Sequence, residues 1–223
     1  PSKYLLYSLD FERFKTALNS VTVSEDQLFQ SDVILTISLA DGTFEDFQFA
    51  DYAVMHPDLQ KQYPEIRSFK GVSLQDKSKV IYTTVNIFGV HSMLHTAGKP
   101  IEYMDTYTKD LSTYVVYSRN DIENVNSFEC HLSTDDVPED SIQERSEQHR
   151  ASSQVFRTYR IAISTTIEYS NFHRNAAGVS PSASDAVKRS AVLAAIVTSM
   201  TRINSVYNSE LSIHLQLIPN NNI

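Results

Sequence analysis

Residues 210–223 read ELSIHLQLIPNNNI, and this closing stretch decides how the second half of the chain is interpreted. Aliphatic residues at the odd positions from 211 to 217 alternate with Ser212, His214 and Gln216, which is the period of a strand with one buried face. Such a strand needs hydrogen-bonded neighbours, yet only a proline and a few polar residues follow it. We therefore expect it to pair with an earlier strand, in a domain that continues beyond Ile223.

The earlier partner is predicted in residues 155–170, VFRTYRIAISTTIEYS, where β-branched residues favour a strand of about eight residues or more. Residues 171–184 are typical of a loop. Ser184 or Asp185 then suits the N-cap of a helix of about 22 residues. The predicted apolar stripe of this helix consists of Val192, Ile196, Met200, Ile203 and Tyr207.

A strand, a helix and a second strand within about 60 residues form a βαβ unit, whose strands lie parallel under a right-handed crossover. Two parallel strands and one helix provide too small a core to fold alone. We therefore expect this unit to begin a larger α/β domain.

Residues 31–118 have the character of a β region. DVILTISL and TFEDFQF flank Asp41-Gly42, a pair that favours a tight hairpin turn. The opening residues before this region fit neither the helical nor the strand period well. Later runs predict a meander of further strands, broken at Gly89, at Gly98 with Pro100, and at Lys109-Asp110.

Between about Arg119 and Gln154 the sequence becomes rich in Asp, Glu, Ser and Gln and nearly free of aromatic residues. Such a segment cannot bury enough apolar surface to offset the entropy of ordering it, so we predict an acidic flexible linker. The chain is thus predicted to be α+β. Its predicted parts are a mostly antiparallel β-rich region over 1–128, the linker over 129–156, and the βαβ unit over 157–223.

Charge and composition narrow the possible partners. The chain has 19 basic and 27 acidic residues, and its net charge of -8 would repel a phosphate backbone. No apolar run approaches the roughly 18 to 20 residues that span a bilayer. The single cysteine, Cys130, excludes an internal disulfide framework. Neither nucleic acid nor a membrane is therefore expected as a partner.

The predicted βαβ unit carries a specific pattern of residues. Its first strand holds Tyr159-Arg160-Ile161, and its helix ends in NSVYNSE, residues 204–210, before the aliphatic strand over 211–218. This order resembles the first strand, first helix and second strand of the catalytic domain in secreted bacterial reprolysin-like metzincin zinc peptidases.

The β region resembles the propeptide of the same family. The matching residues are Asp41-Gly42, Met55 with Pro57 and Leu59, and Tyr63-Pro64 with Ile66, Phe69 and Gly71. The resemblance covers most of the chain and implies the N-terminal fragment of a secreted zinc metalloendopeptidase precursor, a zymogen whose signal peptide has been removed. It also implies protein or peptide substrates and a contact between the propeptide and the catalytic domain.

Members of this family hold zinc with H-E-x-x-H-x-x-G-x-x-H and use a zinc-activated water to attack the peptide bond. That string does not occur in residues 1–223. The resemblance therefore implies that the zinc-binding helix lies further along the full-length protein. We expect this chain alone to be inactive, with no catalytic, cofactor-binding or metal-ligating residue of its own.

The remaining candidates for metal ligands are three histidines and the single cysteine. His91 and His95 have the His-x3-His spacing, but on a strand residues four apart lie roughly 13 Å apart, too far to chelate one ion. His214 is expected to be hydrogen-bonded or exposed. For Cys130 the resemblance implies a latency role, in which its thiolate occupies the open position of the zinc. The alternative for Cys130 is an ordinary small buried residue.

Two functions from other classes stay open. The β region could serve as a non-catalytic binding or adhesion module, or the whole chain could be a peptidase inhibitor with a propeptide-like fold. A zinc-binding helix encoded directly after Ile223 would favour the peptidase precursor. A stop codon at that place would favour one of the two alternatives.

The linker prediction leads to a proteolysis test. Limited digestion of the chain should cut between about Arg119 and Gln154 before it cuts either flank, because that segment lacks the apolar residues that protect a backbone. Mass spectrometry of the first fragments checks this. First cuts within 31–118 or within the helix after Asp185 would contradict it.

Overall fold

A computed structural model of the chain describes residues 1–123 and 155–219 and has an α+β fold. One sheet has eight antiparallel strands in the order β1-β8-β7-β6-β5-β4-β3-β2, and a second sheet pairs β9 with β10. No helix in these two ranges is long and apolar enough to cross a membrane. The helices and strands are β1 (Leu5–Ser8), α1 (Phe11–Asn19), β2 (Ile34–Ser38), β3 (Phe44–Asp51), α2 (Pro57–Gln62), β4 (Arg67–Ser73), β5 (Lys79–Asn86), β6 (Gly89–Thr96), β7 (Glu102–Thr106), β8 (Thr113–Ser118), β9 (Arg157–Ile161), α3 (Ile167–Ala176), α4 (Asp185–Glu210) and β10 (Ile213–Leu217).

The predicted hairpin and meander are confirmed. β2 and β3 flank Asp41-Gly42, where Gly42 has φ +91° and the Asp41 carboxylate accepts a hydrogen bond from the Thr43 backbone N–H at 2.9 Å. The strands from β5 to β8 are consecutive antiparallel neighbours, separated at the predicted turns. The sheet begins earlier than expected, because β1 in the opening residues pairs with β8.

The large sheet curls so that its two edges approach each other. Tyr7 of β1 packs edge-on against Phe44 of β3, with ring centroids 5.5 Å apart. The backbone N–H of Ala40 donates to the Glu102 carboxylate at 2.7 Å, which ties the β2–β3 turn to β7. The concave side therefore encloses a core, into which α1 inserts Phe14 and Leu18. The sheet residues of this core include Ile37, Phe47, Phe49, Phe69, Ile81, Val85, Val90, Leu94, Met104, Tyr114 and Val116.

Gly71 is required by this packing. A Cβ atom built at Gly71 would lie 2.7 Å from the Ile81 Cγ2 and 2.9 Å from the Phe49 ring, both closer than side chains tolerate. The absence of a side chain lets the rings of the core pass over the β4 backbone.

The convex side of the sheet is covered by α4. In β5, Ile81 and Val85 point into the concave core, whereas Tyr82 and Asn86 face the helix. The Asn86 amide donates to the Ala194 carbonyl at 3.2 Å. The central strands are therefore buried on both faces.

The interpretation of residues 155–184 as one long strand and a loop is wrong. The strand ends at Ile161, and residues 167–176 form α3. Thr166 caps that helix by accepting a hydrogen bond from the Tyr169 N–H at 3.3 Å, and Glu168 lies in its first turn. These capping signals start a helix at Ile167, although the β-branched residues around it favour a strand.

The predicted apolar stripe of α4 is also wrong. Of its members only Met200 is fully buried, and Ile203 and Tyr207 are exposed. The helix is longer than predicted, with 26 residues and Ser184 as its N-cap. Its buried face combines small and polar residues, namely Ala191, Ala194, Ala195, Thr201, Asn204 and Ser205, with Leu193, Val197 and Met200. Hydrophobic period did not identify this face, because its polar members form hydrogen bonds inside the protein.

The predicted parallel pairing of the closing strand is confirmed, since β10 lies parallel to β9 with Ile213 opposite Arg157. The other edge of β10 is occupied as well. The Asn204 amide donates to the Leu215 carbonyl and its Oδ1 accepts from the Leu215 N–H, both at 2.8 Å. Two residues further, the Leu217 N–H donates to the Val54 carbonyl and the His56 N–H donates to the Leu217 carbonyl.

One core cluster joins the two halves of the chain. Tyr52, Leu59, Ile66 and Tyr82 from the β region pack in it with Leu193, Val197, Met200 and Leu217. A two-stranded sheet needs apolar packing from other elements to be stable, and this cluster provides it. The boundaries at 128/129 and 156/157 stay a prediction.

Asn204 gives a stability test. In Asn204→Ala the backbone N–H and C=O of Leu215, which face away from β9, lose the partner that the described residues give them, so we expect a loss of about 2–4 kcal/mol in the free energy of unfolding. Urea denaturation at equilibrium measures it. The control is Asn175→Ala, an exposed position in α3 with the same gain in helix propensity. Equal stability of the two variants would contradict the proposed role of Asn204.

Candidate functional site

A buried polar cluster lies where α4 crosses β6 and β7. Asp105 of β7 is at its centre, with a side chain only 19% exposed. Its Oδ1 accepts from the Arg202 guanidinium at 2.5 Å and from the His91 Nδ1–H at 2.7 Å, while its Oδ2 accepts from the Tyr117 hydroxyl at 2.8 Å. Tyr103 stacks on Tyr117, and the Arg202 guanidinium lies over the Tyr103 ring at 5.4 Å from its centroid.

This environment fixes the ionisation of Asp105. Burial raises the pKa of the carboxyl group, but the hydrogen bond from His91 and the charge of Arg202 outweigh burial and bring the pKa to about 2. The same arrangement raises the pKa of Tyr117, through burial and the nearby carboxylate. Asp105 is thus an anion at neutral pH and a weak base. The cluster is suited to hold α4 on the sheet and not to transfer protons.

A serine and a histidine meet one turn further along α4. The His95 Nε2 lies 2.9 Å from the Ser205 Oγ, and that hydroxyl donates to the Arg202 carbonyl at 2.7 Å. Burial lowers the pKa of His95, which favours the neutral ring. The spacing resembles a nucleophile with its base, but Ser205 is 0% exposed in the middle of a helix. No substrate reaches it, and the pair is a packing contact.

The predicted histidine candidates are separated by the fold. His91 and His95 both lie on β6 and face α4, but one is bound to Asp105 and the other to Ser205. His214 is buried and donates its Nε2–H to the Ala53 carbonyl at 3.0 Å. Within residues 1–123 and 155–219, no group of three or more His, Cys, Asp or Glu side chains could hold a metal ion. Cys130 lies outside the residues that the structure describes.

Unlike these buried clusters, a groove beside the ends of β9 and β10 is open to solvent. It has a volume of about 500 Å³ and is bounded by the segment 161–165, α3, α4 and the end of β10. Ile161, Val192, Ile196 and Leu217 give it an apolar wall. Its lining residues include three bases, Arg174, Lys188 and Arg189, and no acid. Sequence reasoning missed this groove, because it depends on α3 and on the half-buried side of α4.

Comparison of the chain with models of protein families, with curated proteins and with solved structures gives no match. The inferences below therefore depend on the residues and their geometry.

The Asp105 cluster predicts a specific dependence of stability on pH. Its pKa in the folded protein, about 2, lies below the ordinary value of 3.8, so the contribution of its partners is complete above about pH 4 and is lost as the pH falls toward 2. Arg202→Met leaves a buried carboxylate without its guanidinium partner and should cost on the order of 3 kcal/mol at neutral pH. The difference from the wild type should shrink as Asp105 is protonated.

Urea denaturation at about pH 7 and about pH 3 measures this difference. Lys61→Met is the control, because Lys61 forms an exposed ion pair with Asp58 at 3.6 Å and should change little at either pH. A destabilisation of Arg202→Met that is the same at both pH values would show that lost packing, and not the ion pair, is responsible.

Proposed function

We propose that this chain is the N-terminal part of a secreted zinc metalloendopeptidase precursor, with a β-rich propeptide over 1–128, an activation linker over 129–156 and the start of the catalytic domain at residue 157. The order of the family-like segments motivates the proposal. The observation that carries it is the joint burial of α4 and β10 by the β region. A propeptide that keeps its enzyme in a precursor state needs such a contact with the catalytic domain.

The contact is supported at three levels. The apolar cluster around Tyr52, Leu59 and Met200 supplies burial. Residues 54–56 supply backbone hydrogen bonds along the edge of β10. Asp105 and Arg202 supply a buried ion pair. Together these make the β region a template for the βαβ unit, whose two strands could not fold without it.

The described residues do not fit a zinc site, because they contain no suitable set of ligands. The proposal therefore assigns metal binding and peptide hydrolysis to residues beyond this chain. The part of this chain in the reaction is indirect, since it supplies the first strands and the first long helix on which such a site would be built.

Cys130 is the residue of this chain that the proposal places nearest to the metal chemistry. It lies at the start of the predicted linker over 129–156, just after the β-rich region over 1–128. A thiolate is a strong zinc ligand and would keep water from the open position of the metal until the linker is cut. This role stays a prediction.

The test uses the coding sequence and the full-length precursor. We expect a zinc-binding H-E-x-x-H helix after Ile223, about one zinc per chain by elemental analysis, and little hydrolysis of a fluorogenic peptide until a protease cuts between about Arg119 and Gln154. Cys130→Ser should raise the activity of the uncut precursor, because it removes the ligand that blocks the metal. Ser127→Cys in that background is the control, since a cysteine three residues away should restore latency poorly.

Two results would contradict the proposal. A stop codon directly after Ile223 would remove the peptidase and favour the inhibitor or the binding module. A full-length protein that binds no zinc would exclude the enzyme even if the chain continues. If zinc binds and activity appears on cleavage, but Cys130→Ser stays latent, the peptidase assignment holds and the cysteine role is wrong.

A further inference from the structure

Every histidine that the structure describes lies where the β region meets the βαβ unit. The five are His56, His91, His95, His173 and His214. Across this boundary they meet, in the same order, the Leu217 carbonyl (through the backbone N–H of His56), Arg202 by way of Asp105, the Ser205 hydroxyl, the Phe88 ring and the Ala53 carbonyl. Histidine is the side chain whose charge ordinarily changes between about pH 5 and pH 8, so mild acid acts first on this contact.

Two of the five histidines have a carboxylate that compensates a positive charge. His91 donates to Asp105 at 2.7 Å, and the His56 ring lies 3.7 Å from the Asp58 carboxylate. Protonation of these two rings adds ion pairs inside the β region and does not oppose the contact. His95 differs from both, because its ring binds the buried face of α4 directly.

The hydrogen bond between His95 and α4 fixes the tautomer of the ring. The Ser205 hydroxyl donates its hydrogen to the Arg202 carbonyl at 2.7 Å, so its oxygen accepts the Nε2–H of His95 at 2.9 Å. The neutral ring therefore carries its lone pair on Nδ1, and a proton taken up there makes the ring a cation. The Arg202 side chain, one turn away, is already a cation that Asp105 neutralises.

The surroundings of His95 do not compensate a second positive charge. The ring packs edge-on against Tyr82, with centroids 5.8 Å apart, and Tyr82 is neutral because burial raises its pKa to about 12. Burial lowers the pKa of His95, and the Glu210 carboxylate at the end of α4 opposes this effect without outweighing it. Beyond Tyr82, Glu25 and Lys70 neutralise each other in an ion pair at 3.1 Å.

We propose that the contact between β6 and α4 is an acid-sensitive latch, which a proton on His95 opens. The imidazolium would stand between Tyr82 and the buried Ser205, so α4 leaves β5 and β6 when it forms. β10 follows, because Asn204 binds it to the helix. The concave core lies on the other side of the sheet and stays closed. The inference uses only this contact and does not rest on the peptidase assignment.

The range of pH in which the latch opens follows from linkage. In the open state His95 has its ordinary pKa of 6.5, whereas burial lowers the pKa in the closed state, so opening takes up a proton. The contribution of His95 to the closed state is therefore complete above about pH 7 and is lost as the pH falls below that ordinary value. Asp105 acts in a separate range, since its partners keep their full contribution above about pH 4.

Hydrogen exchange of the 223-residue chain, followed by mass spectrometry at about pH 7.5 and about pH 5, tests the proposal. Protection factors, from which the intrinsic effect of pH on exchange is removed, report the opening equilibrium of each element. We expect those of α4 and β10 to fall at least about fivefold at the lower pH. Those of β2 and β3, in the concave core, should change less than about twofold.

Two variants identify the group that responds. His95→Gln removes the titrating ring and keeps an N–H donor for Ser205, so its α4 should be protected as in the wild type at about pH 7.5 and lose less than about twofold at about pH 5. His56→Asn is the control, because it removes a histidine of the same boundary and keeps a cap acceptor for the Asp58 N–H. Its α4 should lose protection as the wild type does.

A second measurement needs no variant. The NMR titration of the His95 ring in the wild type, assigned through its contact with Tyr82, should have its midpoint below 6.5.

Four results would overturn the proposal. They are equal protection of α4 at both pH values, a fall in His95→Gln as large as in the wild type, an equal fall in β2 and β3, and a His95 midpoint at or above 6.5. The second result would assign the response to another group. The third would identify acid unfolding of the whole chain.

Discussion

The structure depends on the way Asn204 completes the edge of β10. A two-stranded parallel sheet has two open edges, and one of them is closed here by a side chain that mimics a strand, with two hydrogen bonds of 2.8 Å to Leu215. Two residues further along β10, the N–H and C=O of Leu217 bond to the backbone of residues 54–56. Because a buried backbone group without a partner is costly, these bonds fix the position of α4 relative to both sheets.

Once α4 is held in this way, its small and polar face meets the convex side of the large sheet. Ser205 contacts His95, Thr201 contacts Ser68 at 2.8 Å, and Arg202 reaches Asp105. Small side chains allow the close approach of the helix, and the hydrogen bonds specify its rotation and register. A buried ion pair contributes little net stability in general, but it penalises every arrangement in which one partner is left alone. The cluster therefore selects one docked arrangement.

This docking explains why the site could be predicted only in part. The sequence predicts that His91 and His95 lie on one strand, and on β6 they have different partners. The acid-free groove was missed, because it forms where α3 meets α4, and α3 was taken for a loop and part of a strand. Arg174 had no special meaning in the sequence. The burial of its Nε depends on residues that only the fold brings together.

The sequence alone determined the elements whose cause is local. The Asp41-Gly42 hairpin needs a positive φ, the β10 strand has a period of two, and Ser184 begins α4 with a side-chain cap. Tertiary structure decided which faces are buried. The apolar residues Ile203 and Tyr207 of α4 stayed exposed while Asn204 and Ser205 were buried, because hydrogen bonds to β10 and β6 compensate for the loss of water. The hydrophobic pattern of α4 cannot predict such bonds, because their partners can be far away in the sequence. His95, the partner of Ser205, lies more than a hundred residues before it.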